Sequence, residues 1–266
     1  MKTLEIDQIS LQFGGLQVLK DISFSVEQNQ LLALIGPNGA GKTTVLNCIS
    51  GILKYDGRIV LEGRSITGRR PAELAFLGVA RTFQHAELAP EMTVQENLLV
   101  ARHSALRNGV FSELFNLSSR VREEAAQVNH VQEILKSVGL SDTSHRLISD
   151  LPFGVQKVVG FARALALSPK ILLLDEPSAG LTGEERADMT RFIKEVKQRF
   201  KVSTIWIEHD IKMVGEIADK VVVLDYGRLL ADGLPDVVLN DPQVIKAYLG
   251  TGIKLKKMKD LHVSNN

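Results

Sequence analysis

The chain has 266 residues, which is enough for one large α/β domain or for a core with a lobe inserted into it. Its net charge of +1 excludes a bulk electrostatic attraction to nucleic acid, and its 44% hydrophobic and 24% charged residues are ordinary for a globular protein. No apolar run approaches the roughly 20 residues of a membrane-spanning helix, and the first residues carry no signal-peptide pattern. The one cysteine, Cys48, has no partner for an internal disulfide and should be a small buried residue. The composition therefore predicts a globular protein of a reducing compartment, which would act at a membrane only from the water side.

Residues 3–28 alternate polar and apolar side chains, the pattern of antiparallel strands. Gly14 and Gly15 would form the turn between two strands, and residues 58–61 would form a further strand between hairpin-like turns. Phe13, just before the glycines, is either a core residue at a strand end or a platform on which a flat base stacks. The periodicity alone favours the core position.

Residues 36–44 match the phosphate-binding motif G-x-x-x-x-G-K-[ST], and they lie between an apolar run at 31–35 and a predicted helix at 43–49. A strand, a glycine loop and a helix direct several backbone N–H groups and the positive end of the helix dipole to one point, which suits a polyphosphate. Lys42 should reach the β- and γ-phosphates, and the Thr43 hydroxyl should bind Mg²⁺. The residues expected to hold the polyphosphate are Gly36, Pro37, Asn38, Gly39, Ala40, Gly41, Lys42, Thr43 and Thr44.

The middle of the chain is predicted to be helical. After a helix at 71–77, the stretch from 85 to about 155 has helical periodicity and charged faces, without a convincing strand. Its clearest helices are 94–101 and 122–138, whereas 106–119 has no clear assignment. We interpret 85–155 as a helical lobe inserted between two strands of the nucleotide-binding core.

Strand patterns return at 171–174, 203–207 and 221–224, and helices are predicted between them at 184–200 and 211–218. Strands that alternate with helices of this length predict a parallel, doubly wound sheet. The lysine-rich segment from residue 253 is interpreted as a solvated terminus, with weak attraction to anionic lipid as the alternative.

Charged side chains follow two of these strands, at the edge of the sheet where the phosphates should lie. Asp175 and Glu176 come directly after one buried strand, and His209 comes shortly after the next one along the chain. Asp175 would hold Mg²⁺, Glu176 would orient and polarise the attacking water, and His209 would face the γ-phosphate. An acidic strand end without function and a structural histidine are the alternatives.

Over roughly residues 3–250 the sequence resembles the ABC ATPase family, because further motifs occur in that family's order. Phe13 matches the aromatic residue that stacks on adenine, which reverses the preference for a core position. Gln84 matches the glutamine that contacts Mg²⁺ and water and links the core to the helical lobe. Residues 178–181 match the loop that crosses the dimer interface, and His209 matches the switch histidine.

This resemblance implies an α/β fold: a P-loop NTPase core of the RecA-like type with a mostly parallel sheet, an N-terminal antiparallel β subdomain and an inserted helical subdomain. One ABC ATPase domain would cover residues 1–252, with the helical subdomain at about 85–155 and a flexible tail at 253–266. The nucleotide would be ATP, bound with Mg²⁺. The implied catalytic residues are Lys42, Gln84, Glu176 and His209, and the implied Mg²⁺ ligands are Thr43, Gln84 and Asp175.

The family's signature motif departs from its usual form in this chain. Normally Leu-Ser-Gly-Gly-Gln, it falls on residues 151–155, and the family-like segment 162–166 fixes the register. Pro152 has no N–H to donate, although it suits the start of a helix. A hydrogen bond to a charged group contributes about 1.5–3 kcal/mol, so losing one would weaken the contact with a partner's γ-phosphate by about 10- to 100-fold. The residues that would face the partner's ATP are Pro152, Phe153, Gly154 and Val155.

Within the family, residues 81–85, 91–100 and 241–250 resemble the ATPase subunit of branched-chain amino acid importers, and urea importers share much of this pattern. The resemblance implies a peripheral protein at the cytoplasmic face of the inner or plasma membrane. Its partners would be integral membrane permease subunits and, indirectly, a solute-binding protein, but no nucleic acid. A second ATPase subunit would complete a head-to-tail dimer around two MgATP, as a heterodimer or alternatively a homodimer. The polar segment 87–96 is expected to border the cleft in which a cytoplasmic helix of the permease docks.

Two functions without transport are the alternatives. One is a soluble ABC ATPase of an assembly system, such as iron–sulfur cluster biogenesis. The other, a DNA-repair or ribosome-associated ATPase, is disfavoured because those proteins usually carry a long coiled coil or two cassettes, and the sequence has neither.

Overall fold

The computed structural model describes residues 1–82, 88–106 and 117–249. In chain order its strands are β1 (Lys2–Phe13), β2 (Leu16–Glu27), β3 (Leu31–Ile35), β4 (Asp56–Leu61), β5 (Arg64–Ser65), β6 (Val79–Thr82), β7 (Ile171–Asp175), β8 (Ser203–Ile207), β9 (Lys220–Asp225) and β10 (Arg228–Gly233). Its helices are α1 (Lys42–Ile49), α2 (Pro71–Leu77), α3 (Val94–Leu106), α4 (Leu117–Ser137), α5 (Phe153–Ala166), α6 (Gly183–Phe200), α7 (Ile211–Ile217), α8 (Pro235–Val238) and α9 (Pro242–Leu249).

The N-terminal strands form an antiparallel sheet in the order β2-β1-β4-β5. Leu4 and Ile6 of β1 face the core, and a bulge at Gln8, with φ 49°, shifts the alternation so that Ile9 and Leu11 also face it. The predicted turn between β1 and β2 is confirmed.

Phe13 lies at the end of this hairpin, and its side chain is 53% exposed. The core position that periodicity favours is therefore wrong. The reason is geometric: residues 12–17 are all exposed, so the hairpin extends beyond the part of the sheet that packs on the core. The exposed ring is accessible to a ligand.

The second sheet has six strands in the order β10-β9-β3-β8-β7-β6, and all of them are parallel except β10. Within β3, Leu31, Ala33 and Ile35 face one hydrophobic core, whereas Leu32 and Leu34 face another. Because both faces of the sheet are covered, strands such as β3 and β7 are nearly continuous apolar runs rather than alternating ones. The mostly parallel sheet predicted from the sequence is confirmed.

Helix α1 packs between this sheet and the antiparallel one. Its buried residues include Cys48, as the sequence predicts, and burial raises the pKa of that thiol to about 12. The thiol is therefore protonated and inert at neutral pH.

Helices α3 and α4 pack on α5. Leu98, Val131, Ile134 and Val159 are fully buried in this contact, and they join the core on one face of the parallel sheet. Helix α4 begins at Leu117, earlier than the predicted start at residue 122. Part of the unassigned stretch 106–119 lies outside the described residues.

The C-terminal elements β10, α8 and α9 had no sequence-based prediction. Val238, Val244 and Tyr248 bury their side chains in the same core as β3 and β9, so this segment is part of the nucleotide-binding core rather than an appendage. Across the described ranges, no helix is long and apolar enough to cross a bilayer. The lysine-rich segment from residue 253 lies outside the described residues.

Candidate active site

A tight glycine loop connects β3 to α1. Gly36, Gly39 and Gly41 have φ values of 146°, 80° and 100°, a region that favours glycine. A Cβ added to Gly36 would lie 2.1 Å from the backbone oxygen of Leu224 on the adjacent strand β9. Glycine is thus required there by close backbone approach. The loop ends at the N-terminus of α1.

Lys42 begins α1, and its ammonium group folds back over the loop. Nζ donates hydrogen bonds to the carbonyl oxygens of Gly36 at 2.8 Å and Pro37 at 3.0 Å. Burial lowers the pKa of Lys42, and the carboxylates of Glu176 and Asp175 partly oppose this shift. Lys42 is therefore close enough to both strand-end carboxylates to be affected by their charge.

Asp175 is the last residue of β7, and its carboxylate is almost fully buried. Arg81 of β6 donates from Nη2 to Oδ2 of Asp175 at 2.7 Å, with the two side chains 7% and 4% exposed. The other oxygen, Oδ1, is buried and accepts no hydrogen bond from the described residues. A buried carboxylate oxygen without a donor is a suitable ligand for a hard cation.

Glu176 and His209 follow the neighbouring strands β7 and β8, and their side chains meet. Nε2 of His209 lies 2.8 Å from Oε1 of Glu176. Glu176 has φ 50°, and a non-glycine residue in this left-handed region is strained by about 1–3 kcal/mol. Such strain often occurs at functional positions.

The altered signature segment lies at the start of α5. Pro152 is the N-cap residue, one position before the first helical residue, so the prediction of a proline at a helix start is confirmed to within one residue. Phe153 is 56% exposed, whereas Gly154 is buried. A Cβ at Gly154 would lie 2.3 Å from Oε1 of Glu185, so a side chain there would require the Glu185 carboxylate to move.

Other predicted site residues differ in their exposure to solvent. Asn38, Gly39 and Thr43 are exposed on the loop side, so their polar groups are accessible to a phosphate or a cation. Gln84 lies outside the described residues, and its place between core and helical lobe stays a prediction.

The sequence analysis assigns no individual role to three charged residues of this region. Arg81 holds Asp175, as described above. Glu208 accepts a hydrogen bond from the Ser178 hydroxyl, and Lys157 of α5 donates to the backbone carbonyls of the same loop. One signal was available: a charged residue in or beside a buried strand needs a specific partner. That signal gives no identity for the partner.

Comparisons with known proteins agree with this geometry. A family model described as ABC transporter matches residues 19–179, and one described as branched-chain amino acid ATP-binding cassette transporter matches residues 228–254. The high-affinity branched-chain amino acid transport ATP-binding protein LivG of Salmonella typhimurium is 40% identical over 248 residues, which cover 93% of this chain and 97% of that protein. LivG of Escherichia coli K12 is 39% identical and BraF of Pseudomonas aeruginosa 40% identical, with the same coverage.

Solved structures give the same result. The ADP conformation of MJ1267, an ATP-binding cassette of an ABC transporter, superposes with a TM-score of 0.82 at 34% identity, covering 94% of this chain and 99% of that one. The cbiO1 protein of Clostridium perfringens, part of the ABC transporter complex cbiONQ, superposes with a TM-score of 0.77 at 25% identity, covering 98% of each chain.

Proposed function

This chain belongs to the ABC transporter family as an ATP-hydrolysing subunit, and we propose that it energises the import of branched-chain or closely related amino acids through a membrane permease. The observation that carries the choice of solute is the 39–40% identity, over nearly the full length, to proteins named for branched-chain amino acid transport. The match of residues 228–254 to a model of the same subfamily supports it independently of the ATPase motifs.

The proposed reaction is attack of water on the γ-phosphate of ATP. Lys42 would neutralise the β- and γ-phosphates from above the glycine loop. Glu176 would orient and polarise the water, and His209, 2.8 Å from that carboxylate, would hold it in position. Phe13 would stack on adenine, and Gln84 would contact the metal and the water.

Mg²⁺ fits the oxygen donors of this site. It would be held by Thr43, Gln84 and Asp175, with Oδ1 of Asp175 as the uncommitted buried oxygen. In the described part of the chain, no cluster of three or more His, Cys, Asp or Glu residues could hold a metal alone. Mg²⁺ in nucleotide sites usually keeps several waters and is bound through one or two carboxylates together with the nucleotide phosphates. When bound, the ion would neutralise charge that develops on the β- and γ-oxygens.

The partners would be a second ATPase subunit, integral permease subunits at the cytoplasmic face of the membrane and, through them, a solute-binding protein. In the head-to-tail dimer, residues 152–155 would contact ATP bound to the other subunit. Because this segment lacks the signature serine, a heterodimer with a chain that keeps it is the arrangement we favour over a homodimer.

Transport in a reconstituted complex tests the proposal. The chain would be assembled with its permease, its second ATPase subunit and its solute-binding protein in proteoliposomes, and ATP-dependent uptake of labelled leucine and labelled urea would be compared. We expect uptake of leucine but not urea, and loss of uptake with Glu176→Gln. Uptake of urea alone would overturn the solute, and uptake without ATP would overturn the energising role. If the chain formed a complex with soluble proteins but not with a permease, the alternative function as a soluble ATPase of an assembly system would be favoured.

A further inference from the structure

We infer that Arg81 is a positioning residue for the metal: it fixes the Asp175 carboxylate by tying it to the helix that follows the phosphate-binding loop. This inference rests on the proposed role of Asp175 as a Mg²⁺ ligand, and it assigns a function to a residue outside the nucleotide-binding motifs.

The guanidinium group of Arg81 connects two elements of the active site. Nη2 donates to Oδ2 of Asp175 at 2.7 Å, and Nη1 donates to Oδ1 of Asn47 at 2.6 Å and to the hydroxyl of Ser50 at 3.1 Å. Asn47 lies in α1 and Ser50 is its C-cap, so the two lie three positions apart on the same side of the helix. Arg81 therefore joins the end of β7 to the far end of the helix that Lys42 begins.

The orientation of Asp175 follows from this contact. The guanidinium holds Oδ2, which leaves Oδ1 as the carboxylate oxygen without a donor among the described residues. The same arginine also sets the distance between Asp175 and α1, which carries the proposed metal ligand Thr43 at its first turn. One side chain thus connects the two elements that carry the proposed ligands.

The chemistry of the connection requires arginine. A guanidinium group is a planar fork that can bond several acceptors in different directions at once, whereas a lysine ammonium is a single point charge. Arg81→Lys would keep the buried charge next to Asp175 and lose the fork. Arginine and lysine carry the same positive charge, which by itself disfavours a nearby cation. A difference in metal binding between the wild type and Arg81→Lys therefore reports the orientation of the Asp175 carboxylate and not the charge beside it.

Burial argues for a role beyond stability. A buried ion pair is often no more stabilising than apolar residues of similar volume, because both charges lose their hydration. Here the pair is almost fully buried, and Oδ1 of Asp175 has no donor among the described residues. A buried carboxylate with one uncommitted oxygen fits the proposed role of Asp175 as a metal ligand.

The test is nucleotide binding with and without the metal. The dissociation constant of the full chain for ATP is measured in a binding assay, first in EDTA and then in excess Mg²⁺. The ratio of the EDTA value to the Mg²⁺ value reports how much the metal strengthens ATP binding. Partners that orient a metal ligand typically change metal affinity by about 10- to 100-fold. We expect Arg81→Lys to reduce this ratio by about tenfold or more while changing the EDTA value little, and Asn47→Ala to reduce the ratio by less.

Control variants make each outcome decisive. Lys220→Met removes the half-buried Lys220–Asp232 ion pair of the same sheet, and it should leave the ratio unchanged. Asp175→Asn should abolish the metal contribution; if it does so and Arg81→Lys does not, the inference fails while the proposed Mg²⁺ site stands. If Asp175→Asn has no effect on the ratio, the proposed metal role of Asp175 fails.

If Arg81→Lys weakens ATP binding equally in EDTA and in Mg²⁺, Arg81 has only a structural role. Where Arg81→Lys does not fold, Asn47→Ala decides, and an unchanged ratio there overturns the inference.

Discussion

The hydroxyl of Ser178 lies 2.8 Å from each carboxylate oxygen of Glu208, and both residues are buried. Oε1 of the same carboxylate accepts the backbone N–H groups of His209 at 3.0 Å and Asp210 at 3.4 Å. The loop after β7 is therefore tied to the loop after β8 through one buried charge. The proposed switch histidine lies at this junction, so the position of each loop depends on the other.

Removing the Ser178 hydroxyl should lower both stability and turnover. In Ser178→Ala the buried Glu208 carboxylate loses a donor, which costs about 1–3 kcal/mol of unfolding free energy. For a domain of this size each kcal/mol lowers the melting temperature by about 2–4 °C. ATPase activity should fall as well, because the backbone of His209 is held by the same carboxylate. Thermal unfolding and ATPase assays measure the two effects.

Ser149→Ala is the matched control, because Ser149 is exposed and its hydroxyl contacts only the exposed Asp150, at 3.3 Å, among the hydrogen bonds described. It should change stability by no more than about 0.5 kcal/mol. If both alanine variants melted at the same temperature, the Ser178–Glu208 contact would be unimportant.

The proposed catalytic roles predict different defects for two loop residues. Lys42→Ala should abolish ATP binding, because it removes the charge that faces the β- and γ-phosphates. Glu176→Gln should retain binding and lower turnover by about 10²–10⁴-fold, the range for loss of a general base. Binding of a fluorescent ATP analogue and phosphate release by the assembled complex separate these outcomes. Equal ATPase rates for wild type and Glu176→Gln would defeat the assignment.

The sequence predicted those elements whose pattern is local. The glycine loop, the buried strands and the carboxylates at their ends are each encoded within a few neighbouring residues, and parallel strands bring their carboxyl ends to one edge. The contact of Arg81 with Asp175 spans 94 positions, and that of Ser178 with Glu208 spans 30, so neither pairing has a local signal. Periodicity wrongly favours a core position for Phe13, because an alternating pattern does not show where a hairpin extends beyond the residues that pack on the core.

Phe13 should contribute to ATP affinity through its exposed ring. Stacking of a base on an aromatic side chain is worth about 1–3 kcal/mol, so Phe13→Ala should weaken ATP binding by about 5- to 150-fold, while Phe13→Tyr should retain it. Leu16→Ala, on the same exposed hairpin and paired with Phe13, is the control and should bind normally. Equal losses for Phe13→Ala and Leu16→Ala would mean that the hairpin, and not the ring, matters.

The permease should dock beside the segment 87–96. Glu91 is exposed, whereas Glu87 lies outside the described residues. A thiol introduced as Glu91→Cys should cross-link to a cysteine scanned along the cytoplasmic loops of the permease, and the native Cys48 does not interfere because it is buried. Asp236→Cys, at an exposed position of α8, should give no such product. Cross-links from Glu91→Cys that reach only the second ATPase subunit would contradict this docking site.

The altered signature should make the two ATP sites of the dimer unequal. Pro152 provides no N–H, and the first backbone hydrogen bond of α5 runs from Gln156 to the carbonyl of Pro152, at 3.0 Å. The intervening N–H groups have no helical partner and, with the helix dipole, still favour a phosphate, but the serine hydroxyl is gone. In the proposed head-to-tail heterodimer this segment would face the partner's ATP. The proposed site of Lys42, Asp175 and Glu176 would face the signature of the partner, which would be intact.

Turnover should therefore depend mainly on this chain's own glutamate. In the reconstituted complex, Glu176→Gln should stop most ATP hydrolysis, whereas the matching change in the partner should leave most of it, because the partner's site already turns over slowly. Pro152→Ser restores the missing hydroxyl, and it should raise the activity that remains in the Glu176→Gln complex. The rate of phosphate release per complex is measured for each of these three variant complexes. Equal losses of activity from the two glutamine substitutions would mean that the backbone N–H groups of α5 are sufficient for hydrolysis and that both sites hydrolyse ATP. The reverse ranking would place the faster site in the partner.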